Sequence, residues 1–61
     1  MKKSVEGLRS EIRNNQGTYE TSTYRYIEYG NDVLRIKKEY LDTTAALMPN
    51  QSSDSKWEVV K

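Results

Sequence analysis

Cysteine, histidine and phenylalanine are absent from this 61-residue chain, and proline occurs once. Without cysteine there are no disulfides, and without cysteine or histidine there is no zinc site of the ordinary kind, so no metal is expected. The same absences remove the commonest general base and the best nucleophile, and no enzyme activity is expected. Gly7, Gly17 and Gly30 are isolated. They form no phosphate-cradling glycine loop, and no cofactor is expected. Carboxylate pairs such as Glu20 with Glu28, or Glu39 with Asp42, read as solvated charge. The longest uninterrupted apolar run is Ala45–Met48, far below the roughly 20 residues of a membrane span. Met1-Lys2-Lys3 has the charge of a signal-peptide start, but Ser4, Glu6, Arg9, Ser10 and Glu11 stand where its apolar segment belongs. A soluble, cytoplasmic protein is the expectation.

An excess of one charge sign is missing too. Ten Lys and Arg face nine Asp and Glu, which is not the strongly basic footprint of a dedicated nucleic-acid binder. Core material is scarce, with eleven Leu, Ile and Val residues in all. Below roughly 70–80 residues one core seldom supplies more than about 3–5 kcal/mol, and small proteins add staples or a partner chain. Staples are excluded here, so association is the expected supplement.

The residues that are present fall into three segments. Met1 to Arg13 is charged, with Met1, Val5, Leu8 and Ile12 at four-, three- and four-residue steps, which stacks them on one side of a helix. Asn14-Asn15-Gln16-Gly17 reads as a turn. In the second segment Val33, Leu34, Ile36, Tyr40, Leu41, Ala45, Leu47 and Met48 fall on about half of a helical circumference. Arg35, Lys38, Glu39 and Asp42 lie opposite. Extending this stripe back through Tyr29, Ile27 and Tyr26 predicts one helix over about 21–48, roughly 40 Å long. The fold expected is therefore all-α: a short helix over about 2–14 and a long one over about 21–48, forming a helical hairpin or small bundle completed by association. Pro49 ends this helical domain of residues 1–48, and residues 49–61 read as a polar linker with a Trp57-bearing tail. The alternative is an α+β fold, because Thr18–Tyr29 is dense in Thr and Tyr, which favour strands. A strand over 18–29, followed by a Gly30-Asn31 turn, would then pair with Trp57–Val60.

Two functional readings follow. Counting by seven gives Val5, Ile12, Tyr19, Tyr26, Val33, Tyr40 and Leu47, all apolar or Tyr, the pattern of a coiled-coil seam. This points to a protein–protein interaction module (an adaptor, assembly subunit or inhibitor) that binds itself or another helical protein. Its contact face is Tyr26, Tyr29, Val33, Ile36, Tyr40, Leu41 and Leu47, with Trp57 as an anchor. Trp57 equally suits docking onto its own chain. The alternative is an α+β module in which Tyr24, Arg25 and Tyr26 form a platform for nucleic acid or a nucleotide, bases stacking on the rings. Circular dichroism separates the two, through a helical signal that grows with concentration or a strand signal that does not.

Overall fold

The structure, a computed structural model, describes residues 4–61. Helix α1 (Val5–Asn14) is followed by strands β1 (Thr18–Glu20), β2 (Tyr24–Tyr29), β3 (Asp32–Lys37) and β4 (Glu58–Val59). The strands form one antiparallel sheet in the order β1-β2-β3-β4. Between β3 and β4 the chain runs through two single 3₁₀ turns, Lys38–Tyr40 and Thr44–Ala46. The fold is α+β, and the helical hairpin or bundle expected from the sequence is not formed. No coiled coil exists among the described residues, because residues 21–48 hold two strands and two short turns where the long helix was expected.

Helix α1 is built as its sequence directs. The Ser4 side chain accepts from the Gly7 amide at 3.1 Å, satisfying one of the unpaired amides of the first turn. The helix ends where the Gly17 amide donates to the Ile12 carbonyl at 2.9 Å and the Gln16 amide to Arg13 at 3.4 Å, the Schellman closure. That closure puts Gln16 at φ +64°, a left-handed conformation that glycine adopts without steric cost. The expected seam residue Met1, and a helix start near residue 2, lie outside the described residues.

The long helix fails for local reasons. Gly30, at φ +60°, occupies the first central position of a two-residue loop, the place a II′ hairpin turn reserves for glycine. The flanking residues Tyr29 and Asp32 are paired. Thr21 makes a second break, its hydroxyl accepting from the Tyr24 amide at 3.0 Å and the Thr23 amide at 3.3 Å. The stretch expected as one strand over 18–29 is thus two strands paired with each other. Residues 57–60 do add a strand, but it pairs with β3, with Leu34 opposite Val59 and Arg35 opposite Glu58.

Residues directly opposite in an antiparallel sheet share a face, and neighbours along a strand alternate. The register pairs Glu28 with Val33, Tyr26 with Arg35 and Tyr24 with Lys37, and Tyr19 with Tyr26. All of these side chains therefore lie on one face, the front. Leu8 and Ile12 of α1 pack there against Val33, with Val5, Tyr19, Tyr26 and Val60 around them. On the back lie Arg25, Ile27, Tyr29, Leu34 and Ile36. Leu34 and Ile36 are buried, as is Ala45 in the segment between β3 and β4. That segment is clasped to the chain leading into β4 where the Lys56 amide donates to the Ala45 carbonyl at 2.9 Å. Trp57 fastens it further, Nε1 donating to the Ala46 carbonyl at 2.8 Å.

Val33 and Ile36 are both 0% exposed, on opposite faces of one strand. Ile36→Ala removes the filling of the back face, and its expected cost of about 2–5 kcal/mol matches the whole stability of a chain this size. Thermal or denaturant melts are expected to show a largely unfolded variant at room temperature. Gln16→Gly is expected to raise stability by roughly 1 kcal/mol by relieving the left-handed residue, measured in the same melts.

Candidate functional site

The front face divides in two. Over one end lies α1, tied down by Glu28. Arg9 Nη1 reaches Glu28 Oε2 at 3.2 Å, while Arg13 Nε reaches Oε1 at 3.0 Å. Arg9 also donates to the Asn31 carbonyl of the β2–β3 turn. These groups consume the cationic side chains of the helix in holding it to the sheet.

Beyond the helix, the face continues as a row of tyrosines. Tyr19 and Tyr26 are cross-strand partners with ring centroids 5.8 Å apart and planes tilted by 36°. Tyr26 and Tyr24, two residues apart on β2, are 6.2 Å apart at 50°. Arg35 lies across this row with Cζ 4.6 Å from the Tyr24 ring centroid, a cation–π placement. Its Nη2 is 3.8 Å from Glu58 Oε2. Its Nε is buried and has no hydrogen-bond partner among the described residues. Tyr24, Tyr26 and Tyr19 are all half-buried. Tyr26 belongs both to the core under α1 and to the row beside it.

The residues proposed from sequence are dispersed by this fold. Tyr24 and Tyr26 are brought together on the front. Arg25 is not with them: it points to the back, where Nε and Nη2 engage Glu20, which also holds Lys38 Nζ at 3.3 Å. The cation of the row is Arg35, which sequence reading placed on the polar side of a helix. Its pairing opposite Tyr26 is the signal that the strand alternative contained. Tyr29 is on the back opposite Asp32, separated from Tyr26 by the sheet. Val33 and Ile36 are enclosed on opposite faces, and Tyr40 and Leu41 are half-buried in the 3₁₀ region. No helical stripe joins these residues. Leu47 remains 44% exposed, and Trp57 is half-buried with its indole N–H held by its own chain.

No group of three or more acidic side chains capable of holding a metal ion occurs among the described residues. No helix there is long and apolar enough to cross a membrane. Comparison with protein-family models, curated proteins and solved structures found no match to this chain.

The hydrogen bond from Arg13, reinforced by its charge and by Arg9, holds the Glu28 carboxyl below the ordinary carboxylate range against the opposing effect of burial. Hydrogen bonds from Arg25 and then Lys38 do the same for Glu20. A depressed folded pKa contributes stability that is fully present above the unfolded value, about 4.3 for glutamate, and is lost as pH falls through the folded value. Melting temperature is therefore expected to be flat near neutrality and to drop on acidification. Glu28→Gln is expected to lower it at neutral pH and to shrink the acid-dependent fall.

Proposed function

We propose that this chain is a small, non-enzymatic cytoplasmic module that takes single-stranded nucleic acid, or a nucleotide, on the tyrosine row of its front face. Tyr24 and Arg35 form the stacking position, bounded on its inner side by Tyr26, which packs under α1. The observation that carries this reading is the Arg35 guanidinium lying over the Tyr24 ring at an end of the sheet that α1 does not reach. Flat aromatic and guanidinium groups on a sheet face accept the π-faces of bases without demanding a particular sequence. The near-neutral charge, +1 overall, leaves little long-range attraction for phosphates. Stacking supplies most of the affinity, and binding is modest and tolerant of sequence.

The α+β architecture supports this alternative over the helical interaction module. Association with itself or with another helical protein rested on a stripe whose central members, Val33 and Ile36, are enclosed within this chain on opposite sides of β3.

Titration with a short labelled oligothymidylate tests the reading. Tyr24→Ala is expected to weaken binding by about 1–3 kcal/mol, the usual worth of one base–aromatic stack. Arg35→Met is expected to weaken it as well, since it removes the guanidinium that lies over the Tyr24 ring. Arg25→Ala, on the opposite face, is expected to leave affinity unchanged. Absence of binding at low salt, or equal losses from Arg25→Ala and Tyr24→Ala, would sink the platform.

A further inference from the structure

Resting on that reading, we propose that the depression at the open end of β2 and β3 is a subsite for the backbone phosphate of the nucleotide whose base stacks on Tyr24. The depression, about 330 Å³, is lined by Ser22, Thr23, Lys37, Lys38 and Glu39. Its place relative to the platform is set by register. Lys37 is directly opposite Tyr24, and Ser22 and Thr23 immediately precede Tyr24 in the chain. Lys37, as the cross-strand partner, has its Cβ about 4.5–5.5 Å from that of Tyr24, and the turn of Ser22 and Thr23, closed by the Thr21 amide on the Tyr24 carbonyl at 2.9 Å, adjoins both. That separation is the scale of the offset between a base and its own phosphate. In the other direction the row runs to Tyr26, which packs under α1. A strand laid on Tyr24 leaves the platform at the Ser22–Thr23 end.

The chemistry of the lining suits a phosphodiester. Lys38 Nζ is fixed by the Thr21 carbonyl at 3.1 Å and by Glu20 at 3.3 Å, so its charge is positioned but partly spent. Lys37 is exposed, and its ammonium group forms no ion pair or hydrogen bond with the described residues. The Ser22 and Thr23 hydroxyls likewise have no partner among them. Two hydroxyl donors and an uncommitted ammonium thus line one depression beside the stacking ring. Glu39 is the opposing charge. It sets an upper limit on anion affinity, and it makes a gain of binding available by substitution.

Fluorescence anisotropy with the labelled oligothymidylate, repeated over a series of salt concentrations, tests the subsite. Lys37→Gln is expected to weaken binding and to reduce the slope of log affinity against log salt by about 0.7, the loss of one phosphate contact on a single strand. Tyr24→Ala is expected to weaken binding with the slope unchanged. Glu39→Gln is expected to tighten binding by roughly two- to threefold at low salt, the effect of removing one exposed carboxylate near an anion. Because Lys37 and Glu39 are exposed, unchanged melting temperatures are expected for both variants and check that folding is intact. If Tyr24→Ala weakens binding but Lys37→Gln and Glu39→Gln leave affinity and slope as in the parent, the subsite is wrong and the platform survives. If the parent chain binds no oligothymidylate at low salt, both fall together.

Discussion

Val33 and Ile36 sit on opposite faces of one strand, and neither touches solvent. A chain of 61 residues meets that condition only by using every other element as cover. Helix α1 packs on the Val33 side, while Leu34 and Ile36 are buried on the other. On β3 the back carries Leu34 and Ile36 and the front carries Val33 with Arg35 and Lys37, so a shift by one residue would send both cations to the side where Leu34 and Ile36 are buried. The Gly30-Asn31 turn and Glu28, whose ion pairs with Arg9 and Arg13 are made from the front face, hold the same register.

The division of labour on the front face follows from the length of α1. Ten residues reach across Val33, Tyr19 and Tyr26 but leave Tyr24, Arg35 and Lys37 beyond the cover. Those three are held in place by strand geometry, with Tyr24 opposite Lys37 and Arg35 opposite Tyr26. Rigid backbone positions suit a binding surface, since little ordering is left to be done when a ligand arrives.

Much of the molecule was legible in the sequence, though partly under the wrong geometry. The amino-terminal stripe of Val5, Leu8 and Ile12 is a helix face, and the Asn14–Gly17 turn ends it. Counting by seven grouped Val5, Ile12, Tyr19, Tyr26 and Val33, and these residues do share one core. What joins them is hairpin register rather than helical repeat: Tyr19 is seven residues from Tyr26 because the intervening turn makes them cross-strand partners. Beyond Val33 the count loses meaning, and Tyr40 and Leu47 go elsewhere. The adjacency of Val33 and Leu34 favours a helical stripe over a strand, and the structure overturns that reading, because β3 buries the two on opposite faces and needs no alternation there. Sequence adjacency puts Arg25 beside Tyr24 and Tyr26. Neighbours in a strand point apart, and the pairing of β2 with β3 instead brings Arg35 to the tyrosines.

The indole of Trp57, the single tryptophan of the chain, is pinned to the Ala46 carbonyl behind the sheet, whereas Tyr19, Tyr24 and Tyr26 occupy the front. Tryptophan emission therefore reports on the attachment of Ala46 to the chain that leads into β4. Tyrosine signals sum over both faces, because Tyr29 lies on the back and Tyr40 in the first 3₁₀ turn. An unlabelled sample followed by tryptophan emission and by circular dichroism can in this way reveal whether that attachment is lost before the sheet or together with it.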